Sequence, residues 1–230
     1  MRTTQSLRLL AGAILVSIFS LHASAAITFH PATPYLQSGD ADSLFDSSWP
    51  IHVEDFEDNA IDPALTLSGE ILPPFFSTGS TNLTDSVDGD DGTVDGNGNG
   101  GYSFFNDGRS IMVTFASPVT TAGLVWTDGD PASAGVTLEA FGEDGMSLGF
   151  QDYMDLGDDM FTGETAEDRF IGASDLGGIK SLVVTNLPNG NGIEIDHIHW
   201  QACSEPVPEP ASIAMFVMGL AALASLRRRK

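Results

Sequence analysis

Apolar residues alternate with polar ones in several separate stretches of the chain. These stretches are SIMVTFASP at 110–118, TAGLVWTD at 121–128, AGVTLEAFGEDG at 134–145, IKSLVVTNLP at 179–188 and GIEIDHIHW at 192–200. A period of two sends successive side chains to opposite faces of an extended chain, which is typical of β-strands with one face in a core. Short turns such as EDG and PNGNG separate them. The chain is therefore predicted to be all-β, an antiparallel β-sandwich or jelly roll, with a closed barrel as the alternative.

The last of these stretches does not alternate strictly. Its large apolar residues are Ile193, Ile195, Ile198 and Trp200. An unbroken strand would place the first two on one face and the last two on the other, because side chains alternate. A β-bulge near Asp196 and His197 would bring all four inward, so a bulge is predicted there.

The first 25 residues have the composition of a secretory signal peptide. Arg2 and Arg8 precede an apolar run at 9–21, and Ala-Ser-Ala at 23–25 supplies the small residues that signal peptidase recognises. The run is too short for an ordinary membrane span, which needs about 20 residues. Residues 1–25 are therefore predicted to direct export and to be removed.

The other end of the chain combines an apolar run with a basic cluster. The run at 211–226 would span about 24 Å as a helix, slightly less than a bilayer core of roughly 30 Å. The cluster that follows it is Arg227, Arg228, Arg229 and Lys230. Under the positive-inside rule these cations stay in the cytoplasm. The sequence predicts a single transmembrane helix that holds the preceding domain outside the cytosol.

Pro208, Glu209 and Pro210 lie just before this predicted helix. Proline at both flanking positions favours an extended, accessible backbone that a processing enzyme can bind. The order of Pro-Glu-Pro, apolar helix and basic cluster closely resembles the PEP-CTERM sorting signal. An ordinary tail anchor after a proline-rich linker is the alternative.

The resemblance covers 205–230 and implies a sorting route. In the PEP-CTERM family, found in Gram-negative bacteria that make exopolysaccharide, a membrane enzyme called exosortase is thought to recognise and process the signal. The implied route runs from an inner-membrane-anchored intermediate to the cell surface or the extracellular matrix. Exosortase and signal peptidase are the implied partners, and exopolysaccharide is a further possible one.

The region between the two signals, 26–204, is strongly acidic. The whole chain has a net charge of -23, and this region holds 30 carboxylates but only the cations Arg109, Arg169 and Lys180, a net charge of -27. Such a surface repels nucleic acid and anionic lipid. The length suits one domain, and the single cysteine, Cys203, excludes an internal disulfide.

A glycine-rich acidic loop at 84–101 is one candidate metal site. Asp88, Asp90 and Asp95 offer carboxylates there, and carbonyl and amide oxygens are nearby. Calcium takes about six to eight oxygen ligands of these kinds. The loop lacks the spacing of an EF-hand, and a solvated flexible loop is the alternative.

A second candidate joins the two ends of the domain. Many jelly-roll carbohydrate-binding modules hold calcium between adjacent first and last strands, and this chain resembles that arrangement with Glu54 and Glu57 near the start and Asp196 near the end. By that analogy these residues are predicted ligands of a structural calcium ion, which would relieve carboxylate repulsion.

Histidines and large aromatic residues are further candidates for ligand binding. His197 and His199, with His52, have a spacing that zinc or copper accepts, but surface histidines beside a buried Trp200 are the preferred interpretation. The aromatic residues considered for a sugar-stacking platform are Trp49, Trp126, Trp200, Tyr102 and Tyr153.

The sequence favours a non-catalytic role. Glu164, Glu167 and Asp168 are a weak match to a glycosidase carboxylate pair, with Arg169 as their expected ion-pair partner. Motifs for other hydrolytic or phosphoryl-transfer reactions are missing. The prediction is an exported carbohydrate-binding-like surface protein; a structural or adhesive matrix protein is the alternative, and a glycoside hydrolase an outside one.

Overall fold

The computed structural model describes residues 26–76, 84–129, 135–156, 163–187 and 192–202. The predicted signal peptide and the whole sorting segment, including the predicted transmembrane helix at 211–226, lie outside these residues. Among the residues described, no helix has the length and apolar character needed to cross a bilayer.

The described chain is built from eleven β-strands in an antiparallel arrangement. They are β1 (Thr28–Phe29), β2 (Thr33–Pro34), β3 (His52–Glu54), β4 (Leu65–Leu67), β5 (Glu70–Leu72), β6 (Ser103–Asn106), β7 (Ser110–Gly129), β8 (Gly135–Phe141), β9 (Ser147–Met154), β10 (Arg169–Leu187) and β11 (Ile193–Ala202). Two 3₁₀ helices, Asp42–Leu44 and Asp88–Asp91, lie in the connections. The prediction of an all-β antiparallel fold is confirmed.

All eleven strands belong to one hydrogen-bonded sheet, and the long strands β7 and β10 run through both of its halves, called here sheet I and sheet II. The pairing of β7 with β10 shifts register between Ser174 and Ser181 of β10. Gly178 lies in this stretch with a positive φ of 96°, which only glycine adopts without strain. On one side of the shift, sheet I has the order β4, β7, β10, β8, β9. On the other side, sheet II has β1 and β2 beside β10, followed by β7 and β11, with β3 and β6 beside β11 and β5 beside β6.

The apolar faces of the two sheets share one core. Sheet I contributes Val136, Leu138 and Ala140, which the sequence pattern places on one face and which are all buried. Sheet II contributes Leu124 and Ile171 to the same cluster. The arrangement is therefore sandwich-like, as the alternation of apolar residues predicts.

The predicted bulge in β11 is present. Its pairing with β7 shifts register between Asp196 and Ile198, and His197 has a φ of 30°. The four apolar residues of β11 on both sides of the shift are buried in the shared core: Ile193, Ile195, Ile198 and Trp200. One inserted residue thus keeps the apolar side of the strand facing inward.

The opposite face of sheet II, called here the outer face, is also covered. Tyr35, Ala41 and Phe45 from the segment before β3 pack with Val125 of β7 and Phe170 of β10. Every residue of β11 from Ile193 to Gln201 is consequently buried. The polar side chains of β11 lie under this cover, and they form the candidate site.

The shared core gives a direct test of the sandwich. Replacing Leu138, which is fully buried, by alanine is expected to lower the free energy of unfolding by about 2–5 kcal/mol because a cavity remains. The control is Leu176→Ala, since Leu176 is 81% exposed and its loss is expected to cost less than about 0.5 kcal/mol. Urea unfolding of the full-length chain in mild detergent, followed by tryptophan fluorescence, measures both; equal losses would contradict the shared core.

Candidate functional site

The outer face of β11 carries five polar side chains. They are Glu194, Asp196, His197, His199 and Gln201, and all are buried. A buried polar group is costly unless it is hydrogen-bonded, so each of these side chains needs a partner from the covering segments.

Tyr35 links the two histidines. Its hydroxyl lies 2.8 Å from Nδ1 of His197 and 2.8 Å from Nε2 of His199. Burial and the nearby Asp196 raise the pKa of Tyr35, so the hydroxyl stays neutral and has one proton to donate. Burial and His197 lower the pKa of His199 to about 3, which keeps its imidazole neutral.

Two carboxylates meet the other side of His197. Its Nε2 atom lies 3.1 Å from Oδ1 and 3.0 Å from Oδ2 of Asp90 in the acidic loop. The neighbouring Asp196 accepts hydrogen bonds from the backbone N–H groups of Val87 at 2.8 Å and of His197 at 2.7 Å. Burial, together with Asp90, raises the pKa of Asp196 well above its usual range. The structure therefore brings together two of the predicted ligands, Asp90 and Asp196, and adds His197.

Glu194 is a second buried acid on the same face. Its Oε1 atom accepts a hydrogen bond from the backbone N–H of Asp85 at 2.9 Å and another from the hydroxyl of Ser103. Burial outweighs these two bonds and raises the pKa of Glu194 to about 7.

Asp88 organises the acidic loop itself. Its carboxylate accepts hydrogen bonds from the N–H groups of Asp95 at 2.9 Å and Gly96 at 2.8 Å and from the hydroxyl of Thr165 at 3.1 Å. The loop is tightly folded, since a Cβ on Gly98 would lie 1.6 Å from the carbonyl oxygen of Ser86. The carboxylate of Asp95 is exposed and accepts a hydrogen bond from Asn97.

The predicted ligands near the start of the domain lie next to β11. Glu54 pairs in register with Ile198, which confirms that the two segments are adjacent. The carboxylate of Glu54 accepts hydrogen bonds from the N–H groups of Phe56, at 2.8 Å, and Asp62. The carboxylate of Glu57 accepts a hydrogen bond from the backbone N–H of Tyr102 at 2.5 Å. Burial raises the pKa of both glutamates.

The interpretation of the histidines as surface residues is wrong. His197 and His199 are buried because the segment containing Tyr35 and Phe45 covers the outer face of sheet II. His52 is separate from them: it is exposed and its ring stacks on Trp200, with centroids 5.4 Å apart.

The aromatic residues considered for sugar stacking differ in exposure. Trp126 and Trp200 lie in the core, and Tyr153 is buried with its hydroxyl donating to the carbonyl of His30. Trp49 is 48% exposed. Of the three tryptophans, only Trp49 therefore offers an open face to a ligand.

Trp49 lines a groove of about 320 Å³, called here the Trp49 groove. Its polar lining includes Asp46, Thr120, Thr121, Ser174 and Gln201. These hydroxyl, amide and carboxylate groups lie beside a partly exposed indole, a combination that presents both an apolar face and hydrogen-bonding atoms.

Gln201 fixes the turn that carries Trp49. Its side-chain amide donates to the carbonyls of Asp46 at 2.8 Å and Trp49 at 3.0 Å, and its oxygen accepts from the N–H of Asp46 at 3.2 Å. The indole is thus presented by a turn that is anchored to β11.

The carboxylates that weakly match a glycosidase do not form an exposed pair. Glu167 and Asp168 are buried, whereas Glu164 is exposed. Arg169 donates to the carbonyls of Ala166 and Asp168, each at 2.8 Å. These hydrogen bonds stabilise the backbone at the start of β10.

The comparison with protein families confirms the sorting signal. The model of the PEP-CTERM protein-sorting motif matches residues 206–230. The protein is thus a PEP-CTERM motif-containing protein, and the motif implies export, anchoring at the membrane during processing in a Gram-negative bacterium, and processing by exosortase. No curated protein matches the chain.

Several solved structures have a distant likeness to the chain. The catalytic domain of GH87 α-1,3-glucanase, in complex with tetrasaccharides, has 17% identity and a TM-score of 0.36, over 70% of this chain and 30% of that one. The cleaved adhesin domain of Lys-gingipain has 10% identity and a TM-score of 0.38, over 66% and 99%. TmCBM61 in complex with β-1,4-galactotriose has 11% identity and a TM-score of 0.20, over 74% and 99%. At these TM-scores the likeness carries no argument about function.

The Tyr35 hydroxyl is expected to stabilise the outer face. Tyr35→Phe leaves two buried imidazole nitrogens without their partner, so the free energy of unfolding should fall by about 1–3 kcal/mol. Tyr102→Phe is the matched control, because the Tyr102 side chain is only partly buried. Urea unfolding compares the two; an equally small effect of both substitutions would refute the role of Tyr35.

Glu194 is expected to make stability depend on pH. Burial raises the pKa of Glu194 to about 7, so the folded chain keeps this proton well above 4.5, the ordinary pKa of a glutamic acid side chain. Folding therefore takes up a proton between these values, and the stabilisation by the neutral acid is complete below pH 4.5 and lost as pH rises through 7. The urea midpoint of the wild type minus that of Glu194→Gln should therefore decrease as pH rises through this window. A difference that does not change with pH would contradict the raised pKa.

Proposed function

We propose that this protein is an exported, non-catalytic surface or matrix protein that binds polysaccharide in the Trp49 groove. The observation that carries the proposal is the exposed indole of Trp49 above a polar groove. The sorting motif supports the location, because it implies export and processing at the membrane.

The chemistry of the groove suits a sugar. The C–H face of a pyranose stacks on an indole, while its hydroxyl groups need donors and acceptors around the ring. Thr120, Thr121 and Asp46 supply such groups beside Trp49. The volume of about 320 Å³ falls at the lower end of the usual range for ligand pockets, roughly 300–1,000 Å³.

The groove is rigid before any ligand arrives. Gln201 makes three hydrogen bonds to the turn from Asp46 to Trp49. On the opposite wall, the hydroxyl groups of Thr121 and Ser174 are hydrogen-bonded at 3.0 Å. A preorganised site loses less conformational entropy on binding, which strengthens binding of a ligand that fits it.

The net charge selects among polysaccharides. A domain with 30 carboxylates and three cations repels an anionic polymer. A neutral polysaccharide, or one carrying amino groups, is therefore the ligand class that we propose.

A binding role is favoured over a hydrolytic one. Glycoside hydrolysis needs two carboxyl groups on opposite sides of an accessible sugar. Glu167 and Asp168 are buried, and Asp46 of the Trp49 groove accepts a hydrogen bond from the N–H of Ser48 at 2.9 Å. Asp46 therefore suits hydrogen bonding to a ligand better than proton transfer.

The indole is expected to dominate binding. Trp49→Ala in the full-length chain should weaken retention on exopolysaccharide purified from the producing cells by at least about tenfold, because a buried tryptophan contact is a typical hot spot. Phe150→Ala is the control, since Phe150 is 63% exposed on β9. Affinity electrophoresis in the presence of the polymer measures both.

The outcomes separate the two candidate roles. Retention that depends on Trp49 and not on Phe150 supports glycan binding. Absence of wild-type retention would reject it, and self-association of the same sample would then favour a structural or adhesive matrix protein. Release of reducing ends from the polymer would reject the non-catalytic role.

A further inference from the structure

A compact group of metal-ligating side chains lies at the outer face of β11, away from the Trp49 groove. The ligand-type atoms of Asp90, Asp196 and His197 all lie within 4.8 Å of one another. We infer that this group, called here the His197 cluster, binds one transition-metal dication of the Zn²⁺ class.

The separations in the cluster suit such an ion. Nε2 of His197 is 3.0 and 3.1 Å from the two carboxylate oxygens of Asp90. Zinc bonds of about 2.0 Å to nitrogen and oxygen place neighbouring ligands of a tetrahedron about 3.3 Å apart. Asp90 and His197 are therefore spaced nearly as two zinc ligands, and a carboxylate oxygen of Asp196 lies within 4.8 Å of both.

A proton on His197 does not satisfy the cluster. Nε2 has at most one hydrogen, which hydrogen-bonds with Oδ1 of Asp90. The buried Oδ2 of Asp90 lies 3.0 Å from the same nitrogen but accepts no hydrogen bond of its own from a described residue. Asp196 brings a second buried carboxylate to the same place. A proton on Asp196 can link the two carboxylates, but it neutralises only one of them, whereas a dication would compensate both charges.

Asp168 is a further buried acid whose charge interacts with that of Asp90. It is fully buried, and neither of its carboxylate oxygens accepts a hydrogen bond from any described residue. Burial and the charges of Glu167, Asp88 and Asp90 raise its pKa well above the usual range. An ion bound to Asp90 would relieve repulsion that extends beyond the cluster to Asp168.

The surroundings of His197 already resemble the support of a metal ligand. A ligating histidine usually donates its other ring N–H to an oxygen, which fixes the ring and its tautomer. The hydroxyl of Tyr35 lies 2.8 Å from Nδ1 and has His199 as a further partner at 2.8 Å. The ring is thus held with Nε2 directed to Asp90.

The ligand set favours zinc over calcium. Calcium prefers six to eight oxygen ligands, whereas imidazole suits Zn²⁺, Co²⁺, Ni²⁺ and Cu²⁺. Calcium at Asp90 and Asp196 stays a prediction from the sequence, and the nitrogen of His197 is the reason for proposing Zn²⁺ at this place.

The test uses the full-length chain in mild detergent, stripped with chelator and titrated with Zn²⁺, Co²⁺ or Ca²⁺. We expect one Zn²⁺ per chain by equilibrium dialysis, and the strong visible absorption of tetrahedral Co²⁺. At a hundredfold excess over Kd the melting midpoint should rise by about 5–10 °C.

Variants locate the ion. Asp90→Asn preserves the shape of the side chain and should weaken Zn²⁺ binding at least about tenfold, as should His197→Gln. Asp95→Asn is the matched control in the same loop and should bind like the wild type. If His197→Gln fails to fold, Asp90→Asn and the Co²⁺ spectrum still decide.

Three results would overturn the inference: no Zn²⁺ or Co²⁺ bound by the wild type, unchanged binding by Asp90→Asn, or a Ca²⁺-specific shift that Asp95→Asn abolishes. The last result would assign the acidic loop to calcium instead. Polysaccharide retention is scored separately, so that failure of the Trp49 groove and failure of the His197 cluster remain distinguishable.

Discussion

The structure depends on the burial of both faces of one bulged strand, of which one is apolar and the other polar. β11 turns its apolar residues to the shared core and its acids and imidazoles to the outer face, and neither side is open to water. Each buried acid must then be met by donors from the chain. Val87 meets Asp196 and Asp85 meets Glu194, so the strand fixes the course of the acidic loop.

The same strand connects two sites with different chemistry. His197 and Gln201 lie on the outer face of β11, and each holds a covering segment by side-chain hydrogen bonds. His197 contacts Tyr35 and Asp90, whereas Gln201 holds the turn with Trp49. Because one rigid strand positions both, the Trp49 groove can stay ordered although it lies in a connection without a regular sheet partner.

The sequence predicts those structural features that depend on a local pattern of residues. Alternation identifies the strands at 110–128 and 135–141, and broken alternation places the bulge at His197. The buried state of His199 has no local signal, because its cover includes Tyr35, 164 residues away in the chain. In the sequence, only the carboxylates within the apolar strand β11 indicate that its second face is buried. The proximity of Asp90 to Asp196 depends on the same long-range packing.

The small number of cations in the domain limits how the buried carboxylates can be neutralised. Residues 26–204 contain three cations, and Arg169 uses its guanidinium on backbone carbonyls while Lys180 donates to the carbonyl of Ala116. Within the described residues, the ion pair at the outer face is formed by His197 and Asp90. Protons can neutralise Glu194 and Asp196 singly, but each proton leaves an acid that must also find an acceptor. A dication neutralises two carboxylates without adding a donor, so it fits a chain that is rich in acids and poor in cations.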